Sequence, residues 1–218
     1  MERYSIKNNQ RSPIAEAYRK VAANIQFSNI DGKIKTIMVT SSLASEGKST
    51  TISNIAMVMT ELKKKILLID LDLRKPSVHK QFNISNRIGI TDLLLNKDDY
   101  KNYIINVHPN LDVITSGKIP SNPTEIINSN AIKEEIKKLS SFYDYIFLDT
   151  PPIALVSDPI TISSYSDAVI LAVAYSETEK EIAQKSVESL KKVNANIIGT
   201  ILNKLPVSKN NKYYYSYY

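Results

Sequence analysis

Ser42-Leu-Ala-Ser-Glu-Gly47-Lys48-Ser49-Thr50 places a glycine, a lysine and two hydroxyls in direct succession. A glycine lets backbone amides approach an anion closely, and a helix opening at that point aims its free N–H groups at it. A lysine in the next position would reach the β- and γ-phosphates of a nucleotide, and the serine hydroxyl after it would ligate Mg²⁺. Ser45, Glu46, Gly47, Lys48, Ser49 and Thr50 are therefore the candidate nucleotide-binding residues. The strict P-loop pattern carries glycine five residues before Gly47, where this chain has Ser42. The match thus rests on its context, a strand before the loop and a helix after it.

Three carboxylates complete the candidate site. Asp149 closes the apolar run Tyr145-Ile-Phe-Leu, the place from which a P-loop protein holds Mg²⁺, usually through water. Asp70 and Asp72 stand two apart at the end of another apolar run, so an extended backbone puts both side chains on one face. One carboxylate near Mg²⁺ needs no second, but a proton taken from an acceptor does. A tyrosine hydroxyl, with an ordinary pKa of about 10, attacks phosphorus better with a positioned base. Repulsion between two carboxylates raises one pKa, and a metal reverses that direction. Which of the two serves as base is left open, with Lys48, Asp70 and Asp72 as the catalytic candidates and Ser49, Asp72 and Asp149 as the metal ligands. Asn203 ends the last apolar run and either touches the base of the nucleotide or turns the chain.

These residues must be positioned by the elements around them. Short β-branched runs mark strands at Thr36–Thr40, Lys65–Asp70, Leu111–Thr115, Tyr145–Asp149, Ala168–Val173 and Ile197–Leu202. Helical spacing marks Ser12–Ser28, with Ser12 as N-cap and Pro13 at the first position, and then Ser49–Leu62, Ile126–Leu139, Asp158–Ser164 and Glu179–Val193. Strands apolar on both faces and separated by helices mean an α/β P-loop fold, a mostly parallel sheet covered on both sides. Ligands bind such sheets outside the carboxyl ends of the strands. Thr40, Asp70, Asp149 and Asn203 all stand at those ends.

Composition removes other chemistries. The chain of 218 residues has no cysteine, which excludes disulfides, thiolate metal sites and cysteine nucleophiles. His79 and His108 share no ligand spacing, and no serine has a partnered base. The N-terminus lacks the apolar core of a signal peptide, and no apolar run reaches the ~20 residues of a membrane span. The net charge of +6 is spread over scattered lysines and reads as a solvated surface, with no nucleic-acid partner expected. Residues 1–205 read as one domain and 206–218 as a flexible tail. Five of the last six positions, Tyr213, Tyr214, Tyr215, Tyr217 and Tyr218, are tyrosine, in a chain with thirteen.

Together these features resemble the bacterial tyrosine kinases of capsule and exopolysaccharide synthesis, in the form found as a separate cytosolic chain in Gram-positive bacteria. The likeness runs through Thr40-Ser-Ser…Glu-Gly-Lys-Ser-Thr50, Ile66-Leu-Leu-Ile-Asp-Leu-Asp-Leu-Arg-Lys-Pro76, Ser116-Gly…Asn122-Pro-Thr-Glu125, Tyr143-Asp-Tyr-Ile-Phe-Leu-Asp-Thr-Pro-Pro152, Leu202-Asn-Lys204 and the terminal tyrosines. The resemblance implies that Lys48 and Ser49 bind Mg-ATP, that Asp70 and Asp72 serve the acceptor and metal, and that Asp149 supports the metal. It implies the five terminal tyrosines as phosphoacceptors and a ring of subunits in which one chain's tail enters its neighbour's site. It further implies a membrane-anchored chain-length regulator as activator, recruitment from the cytoplasm to the inner face of the membrane, and other protein substrates. In two places the chain departs from the pattern. Ser45 stands where the family commonly has glycine. The first helix keeps Glu16 and Arg19, the family's contact between subunits, but Ala22 replaces a second arginine.

Phosphate on all five terminal tyrosines would add roughly −8 to −10 of charge, enough to reverse the sign of the whole chain. A flexible twelve-residue linker spans about 20 Å on average and about 40 Å at most, sufficient to reach a neighbouring site. Two relatives by fold are set against this reading. Partitioning or positioning ATPases of the Min or Par type carry a second lysine where this chain has Leu43. A GTPase would need an aspartate three residues after Asn203, where the chain has Pro206.

Overall fold

The computed structural model describes residues 12–96 and 99–206. The tail tyrosines Tyr213, Tyr214, Tyr215, Tyr217 and Tyr218 lie outside the described residues.

Helix α1 (Pro13–Phe27) begins as its sequence requires, with the Ser12 hydroxyl accepting from Ala15 N at 3.1 Å and proline at the first position. Strands β1 (Thr36–Ser41), β2 (Ile66–Asp70), β4 (Leu111–Ile114), β5 (Tyr145–Asp149), β6 (Ala168–Ala174) and β7 (Ile197–Asn203) coincide with the six apolar runs. They pair in the order β4-β2-β5-β1-β6-β7, all parallel. A seventh strand, β3 (Ile105–His108), adds antiparallel to β4 at one edge. It lies outside the six apolar runs. A four-residue edge strand covered on only one side carries too few apolar residues to show an alternation.

Helices cover both faces. The side chains of Ile66, Leu68, Tyr145 and Phe147 pack with α1, with α2 (Lys48–Glu61) and with α3 (Val78–Phe82). Leu67, Ile69, Ile146 and Leu148 pack on the other side. That side is covered by α4 (Ile90–Asn96), α5 (Pro123–Asn128), α6 (Asn130–Leu139), α7 (Asp158–Ser163) and α8 (Lys180–Lys192). The single helix expected over Ile126–Leu139 is two. Ser129 is extended, ends α5, and caps α6 by accepting from Ile132 N at 3.4 Å. Among the described residues, no helix is long and apolar enough to cross a membrane.

Alternation along the strands decides where the carboxylates go. Asp70 is in phase with Ile66 and Leu68, and Asp149 with Tyr145 and Phe147, so both face the α2 side of the sheet. Both stand at the carboxyl ends of adjacent strands, paired directly in the register of β2 and β5. The start of α2 therefore meets two acidic strand ends.

Candidate active site

The loop 42–47 joins β1 to α2. Gly47 caps α2 at φ 86°, a left-handed conformation that glycine adopts freely. A Cβ at that position would collide with the side-chain amide of Asn203. Ser45 is also left-handed, at φ 66°, in the place where a glycine was expected to be the commoner choice. Lys48 and Ser49 are buried at the first turn of α2, and Thr50 is half-buried there, with its hydroxyl 3.5 Å from Gln81 Oε1.

Lys48 gathers the acids. Its Nζ lies 2.9 Å from Asp72 Oδ2, 3.8 Å from Asp149 Oδ1 and 3.3 Å from the Ser49 hydroxyl. Burial alone would lower the pKa of this ammonium. The charges of Asp149, Asp72 and Asp70 outweigh it, and the net direction is up. Asp149 is wholly buried and its two oxygens make no hydrogen bond within 3.5 Å. Burial pushes its pKa up, and Lys48 and the Ser49 hydroxyl work against that direction. Asp70 is also fully buried and is pushed up to about 8, by burial first and then by the charge of Asp149.

The two aspartates of the pair have different surroundings. Asp70 Oδ2 accepts from the amides of Ser77 and Val78, each at 3.0 Å, and Oδ1 accepts from Asp72 N at 3.2 Å. It holds the 71–77 loop closed. Asp72 uses Oδ1 for Lys75 N at 2.9 Å and gives Oδ2 to Lys48. Of Asp70 and Asp72, it is Asp72 that forms an ion pair with the phosphate-loop lysine.

Two residues read as nucleotide contacts spend their side chains inside the protein. Glu46 turns inward, where Oε2 accepts from Leu43 N at 2.6 Å and Oε1 from Ala174 N at 3.2 Å and from the Thr178 hydroxyl. Asn203 donates from Nδ2 to Glu46 O at 3.0 Å and faces the Thr51 hydroxyl at 3.3 Å, while its Oδ1 accepts from Lys204 N. Both residues brace the phosphate loop from the ends of β6 and β7. Glu16 and Arg19 lie apart from the site. Arg19 pairs with Glu16 at 3.5 Å and, more closely, with Glu61 at the end of α2 at 3.0 Å.

The donor set fits a magnesium ion. Asp149 offers two buried, unbonded oxygens beside the Ser49 hydroxyl and Asp72. Among the described residues no group of three or more His, Asp, Glu or Cys side chains is arranged to hold an ion unaided. A cation held by one or two carboxylates, water and substrate phosphates needs no more than this.

Residues 34–205 match the AAA domain family. The chain is 40% identical to tyrosine-protein kinase YwqD of Bacillus subtilis, over 92% of this chain and 85% of that protein. It is 35% identical to the putative tyrosine-protein kinase CapB of Staphylococcus aureus, over 97% and 93%. Among solved structures it superposes on the chimerical protein CapA2B2 with a TM-score of 0.89 and 34% identity, covering 94% of this chain and 91% of that one. An AAA-type P-loop fold, three carboxylates around its lysine and kinase relatives matched over most of their length assign this chain to the bacterial tyrosine-protein kinases.

Proposed function

We propose that this kinase transfers the γ-phosphoryl group of Mg-ATP to tyrosine hydroxyls of its own terminal cluster, Tyr213, Tyr214, Tyr215, Tyr217 and Tyr218, one chain serving its neighbour in a ring. The observation that carries this is the 2.9 Å contact between Lys48 and Asp72, which joins a phosphate-binding lysine to a carboxylate able to take a proton. Backbone amides of Ser45–Thr50 would hold the phosphates, and Lys48 would turn from Asp72 toward the γ-phosphate. Ser49, Asp72 and Asp149 would hold Mg²⁺, which would supply charge neutralisation for the transferring phosphoryl group. The tyrosine oxygen forms a bond to the γ-phosphorus, the bond from that phosphorus to the β,γ-bridging oxygen breaks, and ADP leaves. Asp72 takes the hydroxyl proton. Asp70 is the weaker candidate for base, because both its oxygens accept fixed backbone amides, whereas Asp72 Oδ2 would be freed as Lys48 turns toward the phosphate.

Residues 1–205 would form the kinase domain and 206–218 the acceptor tail. The relatives named for capsule genes suggest a role in capsule or exopolysaccharide synthesis, with other proteins as further substrates. By the family resemblance, the activator would be a separate, membrane-anchored chain-length regulator that recruits this chain to the inner face of the membrane. Glu16 and Arg19 would serve ring contacts, with Arg19 exchanging its intrachain partner Glu61. A partitioning-type ATPase is not favoured, since Leu43 replaces the second lysine and the relatives are kinases.

Mixing two variants tests transfer between chains. One has all five terminal tyrosines replaced by phenylalanine, and the other is Lys48→Met. Phosphate on the tail of the Lys48→Met protein is the expected result. A tail that stays unmodified, while wild-type protein labels itself, would refute transfer in trans.

A further inference from the structure

The 71–77 loop, which carries Asp72, is held from outside as well as from within. Arg74 Nε donates to Asp158 Oδ2 at 2.7 Å, and its Nη2 donates to Asp158 Oδ1 at 3.3 Å. The same Nη2 donates to the Thr124 hydroxyl at 2.8 Å, and that hydroxyl donates in turn to Asp158 Oδ1 at 3.1 Å. Asp158 is buried at the first position of α7, and Thr124 stands in the first turn of α5. One guanidinium therefore ties together the loops that leave β2, β4 and β5 at the ligand edge of the sheet.

The arrangement is more specific than a surface ion pair. An exposed pair is screened and contributes little; here Arg74 is 38% exposed, but the Asp158 side chain that it grips is only 2% exposed. A forked guanidinium on a carboxylate fixes both distance and direction, which an ammonium does not. An acidic residue at the start of α7 would suit the helix dipole, but that alone needs neither Arg74 nor Thr124. The contact joins the loop of Asp72 to the segment that follows Asp149. The guanidinium of Arg74 spends its hydrogen bonds on Asp158 and Thr124, away from residues 42–51 of the phosphate loop.

We propose that Arg74, through Asp158 and Thr124, is a positioning residue that keeps Asp72 against Lys48 and in register with Asp149. The proposal rests on the kinase reading, in which Asp72 faces metal and acceptor. Phosphoryl transfer is sensitive to small displacements of such a group, while phosphate binding by loop amides is not. The clamp should therefore govern magnesium dependence and transfer and leave metal-free nucleotide affinity alone.

Three variants test this: Arg74→Lys, Thr124→Val, and the double variant Arg74→Ala with Asp158→Ala, which leaves no unpaired buried charge. For each, ADP affinity is measured with and without Mg²⁺, together with the rate of tyrosine phosphorylation and the melting temperature. Metal-free ADP affinity should stay within about twofold of wild type. The gain in affinity on adding Mg²⁺, and the transfer rate, should each fall about tenfold or more in Arg74→Lys and in the double variant, and less in Thr124→Val. A double variant that keeps the magnesium gain and the transfer rate would overturn the proposal. So would a loss of metal-free affinity equal to the loss with magnesium, which marks a general loosening of the fold. Should the wild type transfer no phosphate to tyrosine, the kinase reading fails, and the magnesium gain still decides whether the clamp positions Asp72.

Discussion

The ammonium of Lys48 rests on the carboxylate of Asp72 at 2.9 Å, across the gap between the start of α2 and the loop after β2. Each residue is placed by its own loop. Lys48 is where Gly47 opens the helix, and Asp72 is where Asp70 closes the 71–77 loop on the Ser77 and Val78 amides.

Replacing Asp72 by asparagine should separate binding from chemistry. The side chain keeps its shape and its acceptor for Lys75 N, but cannot take a proton. Transfer should drop about 10²–10⁴-fold, the usual contribution of a positioned base. Metal-free ADP affinity, measured by calorimetry, should hold within a few-fold. An Asp72→Asn protein that phosphorylates tyrosine at the wild-type rate would remove Asp72 from the mechanism.

Ser45 bears a left-handed backbone that costs a non-glycine residue about 1–2 kcal/mol, partly recovered by its smaller entropy loss on folding. Ser45→Gly should leave stability equal or raise it by up to about 1 kcal/mol, a melting shift of about 2–4 °C in a domain of this size. A clear fall in melting temperature would mean that the Ser45 side chain, rather than its backbone, is what the loop requires.

Glu46 holds the phosphate loop to the end of β6 by accepting from Leu43, Ala174 and Thr178. Glutamine would present an N–H group to at least one of those donors. Losing a hydrogen bond to a charged group costs about 1.5–3 kcal/mol, so Glu46→Gln should weaken ADP binding about tenfold or lower the melting temperature correspondingly. Unchanged affinity and unchanged stability would show that the brace is dispensable.

Asp70 has a pKa of about 8 in the folded protein against an ordinary 3.8, with burial as the first cause. Between those values the folded chain holds a proton that the unfolded chain has released. This contribution to stability is complete below pH about 4 and is lost as pH rises through about 8. The buried Asp149, also raised, acts in the same direction. The nucleotide- and metal-free protein should therefore melt at progressively lower temperature from pH 6 to pH 8.5, and Asp70→Asn should flatten that slope. A melting temperature that rises over this range in the wild type, or an equal slope in the variant, would contradict the assignment.

The legible parts of this protein were those written in neighbouring residues. Gly47, Lys48 and Ser49 are contiguous, and the ends of buried strands stop the apolar runs at Asp70 and Asp149. That Asp70 and Asp149 face the same side of the sheet depends on the register of β2 with β5. The roles of Glu46 and Asn203 were not legible in this way. Glu46 meets Ala174 and Thr178 from 128 and 132 residues away, and Asn203 meets Glu46 from 157. Nothing local distinguishes an inward glutamate in a phosphate loop from one facing a ligand. Arg74 and Asp158 are 84 residues apart and are joined only by the way β2 and β5 pair. Helices α3 and α4, five and seven residues long, are shorter than the window in which a helical period shows itself.

The most direct test is to incubate purified protein with Mg-ATP, with and without the cytosolic segment of a candidate activator, beside a Lys48→Met control. Intact mass and tail peptides are then read. Phosphate on Tyr213, Tyr214, Tyr215, Tyr217 or Tyr218 in the wild type and none in the control is the predicted result. Tight ATP binding with an unmodified tail, even with the activator present, would contradict the account.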